Sequence, residues 1–375
     1  MLTIHFHNKP SYDSYILEYI WIDGHGNLRS KYRTVYPDFN LEEYSHFIVA
    51  DNWNYDGSST YQADTHDSEI VLVPVAHYAN PFFKSGRSFL ILCDTYRQYN
   101  SDDGNCDYVP TDTNFRCAAL HAFSNRPELK PWFGIEQEYF MTRISGTPLA
   151  FFGSGAEPEP QGDYYCGVGG RTVTLRKLAE KHYEYCLQAG LKISGINAEV
   201  APSQWEFQIG PCEGIAAGDE LWVARYILHK LSEEFGVCIS FHPKPLANPW
   251  NGSGLHTNFS TVETREKSEN DDNGSSSSGL NTIYKYIDRL SKRHDEHLRV
   301  YGDNSERLNG TCETSDARTF SYAAGSRGAS IRIPNSVLQS GCGYFEDRRP
   351  ASDADPYRVT AAIFSSACLH DSNLD

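Results

Sequence analysis

The stretch Gly134-Ile135-Glu136-Gln137-Glu138-Tyr139-Phe140 decides how this chain is read. Its apolar and aromatic residues suit a β-strand, along which side chains alternate faces. Phe133, Ile135, Gln137 and Tyr139 then share one face, and Glu136, Glu138 and Phe140 the other. Two carboxylates point the same way, about 7 Å apart along the strand. A lone pair of this kind is ordinarily a solvated face. Here Trp132, Phe133, Tyr139 and Phe140 flank it and leave little reason for an open, wet surface.

Two further stretches repeat the arrangement. In Asn197–Gly210, "NAEVAPSQWEFQIG", Glu206 and Gln208 oppose Trp205, Phe207 and Ile209, and Glu199 stands just before the bend at Pro202. In Gly254–Ser260, "GLHTNFS", His256, Asn258 and Ser260 share a face. Carboxylates that converge cannot all stay ionised without a cation to compensate. Glutamate oxygens with at most one imidazole suit Mg²⁺ or Mn²⁺ rather than zinc.

The last quarter carries the opposite charge. Arg307, Arg327, Arg332, Arg348 and Arg349 crowd into Arg307–Pro350, with Glu346 among them. Guanidinium forks match carboxylate and phosphate oxygens, and beside divalent metals they are an apparatus for phosphoryl transfer. Surface salt bridges remain the other reading of any one of them. There is no GxxxxGK[ST] loop and no kinase-like glycine loop, so a bound ATP is held by other means.

The rest of the chain sets the frame. Its 375 residues are 39% hydrophobic and 22% charged, a folded chain of two domains. The net charge of −16 speaks against nucleic acid and against an anionic membrane surface as partners. The N-terminus has no apolar signal core, no run approaches a membrane span, and the ten cysteines show no CxxC pair; a cytoplasmic protein with free thiols is expected. Strands dominate the first hundred residues, with a hairpin around Asp23–Asn27. The polar stretch Asn100–Asp107 marks a domain boundary. Beyond it, helices are predicted over 174–189, 219–235 and 283–300, interleaved with strands, and Ser268–Gly279 reads as a flexible surface insertion. The fold class is α+β: a small β-rich domain over 1–105 and a larger sheet-and-helix domain over 106–375.

The chain resembles glutamine synthetases of the eukaryotic type. The likeness runs through "WNYDGSST", "GIEQEY", "PQGDYYCGVG", "NAEVAPSQWEFQIGPCEG", "WNGSGLHTNFST", "SIRIP" and "GYFEDRRP", in order and over nearly the whole chain. The resemblance implies a β-grasp-like N-terminal domain and a catalytic domain with a curved antiparallel sheet flanked by helices. It implies ligation of ammonium to the γ-carboxylate of L-glutamate with ATP, through γ-glutamyl phosphate. By that likeness Glu138, Glu199 and Glu206 hold one Mg²⁺ or Mn²⁺, and Glu136, His256 and Glu346 the other. Arg307 and Arg348 bind the substrate carboxylate, and Asn251 and Gly252 its backbone. Ser260, Arg327 and Arg332 meet the nucleotide, and the last two neutralise the moving phosphoryl group. Asp56 takes a proton from ammonium, Glu313 sits on a loop closing over the glutamate, and Asp56 reaches the site from the neighbouring subunit of a ring-type homo-oligomer, a decamer. Two departures stand out: Thr311 and Cys312 replace an aromatic residue and a histidine, and Ser326 and Gly328 flank Arg327. A ligase that takes an organic amine, and a relative that has lost catalysis, are the competing readings.

Overall fold

The computed structural model describes residues 1–6, 14–40, 45–100, 106–149, 158–160, 162–170, 172–266, 279–311 and 315–369. Of the polar stretches Asn100–Asp107 and Ser268–Gly279, residues 101–105 and 268–278 lie outside them, as do Cys312 and Glu313. Asn100 ends one strand, Cys106 and Asp107 begin another and Gly279 begins a helix. The chain divides into two compact units, Met1–Ala118 with Tyr185–Leu191, and Ala119–Glu184 with Lys192–Asp375.

The strands of the first unit are β1 (Leu2–Phe6), β2 (Tyr15–Ile22), β3 (Leu28–Val35), β4 (Asp38–Asn40), β5 (Ser45–Ala50), β6 (Trp53–Asp56), β7 (Glu69–Ala79), β8 (Ser88–Asn100) and β9 (Cys106–Pro110). β1, β5 and β4 make a small sheet; the larger one runs β3-β2-β8-β7-β6, with β9 beside β8. A division at 105/106 would cut this sheet, because β9 pairs with β8, and the unit continues to Ala118. The hairpin between β2 and β3 is present, with Ile22 opposite Leu28. The Asp23 carboxylate holds its turn by accepting from the backbone N–H groups of His25 and Asn27, each at 2.9 Å. Gly26 takes the left-handed conformation there, at φ +79°. Alternation along β2 sends Tyr15, Leu17, Tyr19 and Trp21 into one core with Ile48 and Leu72.

The second unit holds β10 (Trp132–Thr142), β11 (Ile193–Ala198), β12 (Gln204–Glu213), β13 (Cys238–Ser240), β14 (Leu255–Ser260), β15 (Tyr322–Ala324), β16 (Ile331–Ile333) and β17 (Phe345–Asp347). They form one sheet in the order β11-β12-β10-β14-β17-β16-β15, with β13 also on β10. Its pairs are antiparallel except β15 with β16. Gly210 sits where the β10–β12 register shifts; a Cβ there would come within 2.5 Å of the Phe133 carbonyl oxygen.

The helices are α1 (Phe115–Ser124), α2 (Arg176–Ala189), α3 (Ala216–Phe235), α4 (Val262–Arg265), α5 (Gly279–Lys292), α6 (His294–Leu298), α7 (Asn335–Ser340) and α8 (Pro356–Phe364). The stretch expected to be one helix over 283–300 starts earlier and breaks at Arg293, where α5 gives way to α6. α3 starts at Ala216, ahead of the expected 219, and ends on Gly236 in the left-handed conformation. It packs against the face of β10 that carries Gln137, where buried Arg225 donates from Nε to Gln137 Oε1 at 2.8 Å. That face is closed, which leaves Glu136 and Glu138 on the other. No helix among the described residues is long and apolar enough to cross a membrane.

Candidate active site

The register of the sheet assembles the acidic residues. Glu138 lies opposite Glu206 on β12, Glu136 opposite His256 on β14, and Glu346 on β17 opposite both Asn258 and Arg332. Residues that pair directly share a face, so carboxylates from three strands gather on one face of the sheet. Glu199 joins from the turn between β11 and β12, pinned by its backbone N–H to the Gln204 carbonyl at 2.9 Å. One oxygen each of Glu138, Glu199 and Glu206 lie within 4.8 Å of one another, as do one atom each of Glu136, Glu206 and His256. His256 Nδ1 is 3.5 Å from Glu136 Oε2 and 3.7 Å from Glu346 Oε1.

These groups are buried, apart from the half-buried Glu136. Burial, and then the charge of Glu199, push the Glu138 carboxyl up to about 8. Burial, followed by the charges of Glu136, Glu138 and Glu199, drives Glu206 well above the usual carboxylate range. Glu199 is raised chiefly by burial. Burial, and then Arg348, push His256 well down, so its ring is neutral and keeps a lone pair. Converging acidic oxygens in so dry a place repel one another until a cation joins them. Five carboxylates and one neutral imidazole fit a hard divalent ion such as Mg²⁺ or Mn²⁺.

Primary amides hold these carboxylates. Asn258 Nδ2 donates to Glu136 Oε1 at 2.8 Å, Asn197 Nδ2 to Glu199 Oε1 at 2.9 Å and Gln204 Nε2 to Glu138 Oε2 at 3.2 Å. Gln208 Nε2 bonds to Glu206 Oε1. The spacing of two that singled out Glu136 and Glu138 also separates Asn197, near the end of β11, from Glu199 in the turn, and Glu206 from Gln208 on one face of β12. A period of two thus marks two of these amides as it marks the acids.

The arginines close the other side. Arg348 Nη1 lies 2.7 Å from Glu346 Oε1, and Arg332 pairs with the same carboxylate. Arg327 is exposed, yet its charge opposes the upward shift at Glu199. Arg307 is buried, with Nη1 donating to Asn304 Oδ1 and the Arg349 carbonyl and Nη2 to the Arg348 carbonyl. Its Nη2 also stands 3.3 Å from His256 Nε2. Beside it, Asn251 Oδ1 is a buried acceptor with no hydrogen-bond partner. Gly254 makes this closeness possible. Its N–H donates to Glu138 Oε2 at 2.7 Å, and a Cβ would lie 2.5 Å from Arg307 Nη2 and 2.7 Å from His256 Nε2. Gly254→Ala is therefore expected to lose about 1–3 kcal/mol of stability by overpacking. Mn²⁺ titration and denaturant unfolding check it: wild-type stability together with wild-type Mn²⁺ binding would contradict this account of Gly254.

Ser260 lines a cavity of 460 Å³ together with Trp132, Ile135, Glu136, Arg265 and Tyr344. Arg265 lies over the Trp132 ring, 4.0 Å from its centre, and donates to Ser260 Oγ at 3.0 Å. Apolar walls and a cation next to a metal-type carboxylate suit a planar anionic ligand. Of this cleft the sequence singled out Ser260 and Glu136; Arg265 and Tyr344 went unnoticed, because neither sits on a strand with the acids.

Behind β17 lies a second ionic cluster. Arg349 donates from Nε to Asp347 Oδ1 at 2.9 Å and from Nη2 to Oδ2 at 2.6 Å, both residues fully buried. The Tyr301 hydroxyl donates to Asp347 Oδ2 at 2.9 Å. Arg349 also reaches Nδ1 of His294 at 3.0 Å and Nδ1 of His297 at 2.9 Å. Burial, and then Arg349, hold His297 down at about 3, so it accepts rather than repels the guanidinium.

Asp56 belongs to the first unit. It is exposed and begins a short 3-10 helix, accepting from the Ser58 N–H and from the Ser58 and Ser59 hydroxyls. The hydroxyls of Ser58 and Ser59 hold its carboxyl down at about 2, so it is ionised at neutral pH.

Comparison with known proteins bears on the whole arrangement. The family described as glutamine synthetase, catalytic domain, matches residues 119–369. The glutamine synthetase of Saccharomyces cerevisiae is 48% identical over 365 residues, covering 96% of this chain and 91% of the relative. That of Eremothecium gossypii is 49% identical over 365 residues, with the same shares covered. That of Hebeloma cylindrosporum is 47% identical over 362 residues, covering 96% of this chain and 95% of the relative. The matched region takes in every strand from β10 to β17, and the alignments with these relatives cover 96% of the chain: this chain belongs to the glutamine synthetase family.

Proposed function

We propose that this protein makes glutamine from L-glutamate and ammonia at the expense of ATP, through γ-glutamyl phosphate. The observation that carries the reading is the convergence of buried Glu138, Glu199, Glu206, His256 and Glu346 with half-buried Glu136 beside Arg332 and Arg348. A carboxylate is a poor electrophile, so the γ-carboxylate is activated by phosphorylation before the amine attacks. Glu138, Glu199 and Glu206 would hold one divalent cation, and Glu136, His256 and Glu346 the other. When bound, such ions neutralise the oxygens of the nucleotide's polyphosphate.

The chain's own groups do the rest. The cleft at Ser260 receives the base, with Arg265 and Trp132 as its walls. Arg327 and Arg332 neutralise charge on the moving phosphoryl group. The charges of Arg307 and Arg348 attract the substrate's α-carboxylate. The orphan oxygen Asn251 Oδ1 accepts from its α-ammonium, a donor that this buried atom otherwise lacks. Asp56, supplied by the adjoining subunit of a ring-type homo-oligomer, and Glu313 bind ammonium and take its proton, because ammonia and not ammonium is the nucleophile. The exposure and ionisation of Asp56 support that role. The parallel pairing of β2 with β8 supports a β-grasp-like first unit.

The test is phosphate release by the purified chain with ATP, glutamate and Mg²⁺. Release should require both the divalent cation and ammonium. Release with a bulky amine and not with ammonium would make the protein an amine ligase, and no release with any amine would make it a catalytically silent relative.

A further inference from the structure

Gln204 opens β12 with its carboxamide buried at 1% exposure. Nε2 donates twice, to Glu138 Oε2 at 3.2 Å and to the Gly252 carbonyl at 2.9 Å. Oε1 accepts from the Ala201 N–H at 3.2 Å. The Gly252 carbonyl and the Ala201 N–H fix this orientation: a backbone carbonyl only accepts, and a backbone N–H only donates. The backbone of the same residue builds the turn that presents Glu199. Its N–H donates to the Ala201 carbonyl at 3.1 Å, and its carbonyl accepts from the Glu199 N–H at 2.9 Å.

Glu138 Oε2 thus receives two hydrogen bonds, from Gln204 and from the Gly254 N–H at 2.7 Å. Oε1 is left facing the other site groups, 4.0 Å from His256 Nδ1. The second hydrogen bond of the Gln204 amide reaches Gly252, next to the orphan acceptor of Asn251. One side chain therefore touches both the acidic cluster and the loop assigned to glutamate.

We infer that Gln204 is a positioning residue that ties the two together: it reserves Glu138 Oε1 for the cation and sets the Asn251–Gly252 loop for glutamate. This rests on the ligase reading above. A residue that only filled space could be exchanged for an apolar isostere with little change. A residue that orients both groups should affect cation and glutamate together.

The test uses the full chain and three variants. Gln204→Met keeps the volume and removes every hydrogen bond of the amide. Gln204→Glu sets a carboxylate against Glu138 and the Gly252 carbonyl. Gln204→Asn keeps the amide but draws it back by one methylene, and serves if the Met variant does not fold. Mn²⁺ is titrated by electron paramagnetic resonance without nucleotide, and KM and kcat are measured for glutamate at saturating Mg²⁺. Loss of an outer hydrogen-bond partner weakens metal binding by about 10–100-fold, and that loss is expected here. The KM for glutamate should rise in the same variants while that for ATP stays, and Gln204→Glu should be the worst. Wild-type Mn²⁺ affinity or an unchanged glutamate KM in a folded Met or Asn variant overturns the inference and leaves the ligase reading standing. A wild-type chain that binds no Mn²⁺ overturns both.

Discussion

Glu138→Gln is expected to reduce glutamine formation by at least about 100-fold, beyond what loss of an outer partner usually does, while making the metal-free chain more stable above neutral pH. The substitution keeps the volume and an oxygen to accept from the Gly254 N–H, and removes the charge. Glu138 starts from 4.5 and is pushed up to about 8 by burial and Glu199. The sign follows from proton linkage. Between those values the folded chain holds a proton that the unfolded chain has released, so stability falls as pH rises. The contribution is fully present below 4.5 and lost once pH passes 8. Glutamine does not titrate, so the variant's stability should depend less on pH. Unfolding in chelator at pH 5 and pH 8 measures the difference, and added Mg²⁺ should restore the wild type at pH 8 and do little for the variant. Parallel pH profiles for the two chains, or near-normal turnover by the variant, would remove Glu138 from the site.

The largest loss of stability is expected from Arg349→Met. It leaves Asp347 fully buried without its ionic partner, a change that costs about 3–5 kcal/mol. Burial would raise the Asp347 carboxyl, but Arg349 overrides this and holds it below its ordinary value. The stabilisation is thus present above that ordinary value and lost as pH falls through the lowered one. Activity should fall as well, since Glu346 stands on the opposite face of the same short strand and Arg348 follows directly after it. Denaturant unfolding at neutral pH decides it. A loss below about 1 kcal/mol, the range of an exposed ion pair, would mean the cluster behind β17 is solvated.

Much of this was legible in the residues because strands declare their faces. The β2–β3 hairpin and strands β10, β12 and β14 follow from alternation and turn residues. The acids were legible for the same reason, since a period of two puts Glu136 with Glu138 and Glu206 with Gln208. The helix α1 was not, because it buries only Ala119 and Phe123 and so writes a weak period. α8 carried a start signal that went unread, Asp355 capping the N–H groups of Tyr357 and Arg358 ahead of Pro356. The break between α5 and α6 has no glycine or proline to announce it. His294 and His297 lie within the stretch expected to be one helix, and their partner Arg349 is more than fifty residues away.

The four consecutive charges Glu346-Asp347-Arg348-Arg349 would be scored by any hydropathy plot as loop-like and water-loving. All four are buried, two answering the acids and cations in front and two locked to each other behind. Saturation mutagenesis of the chain should therefore find one of its least permissive runs there, with even exchanges between like charges rejected.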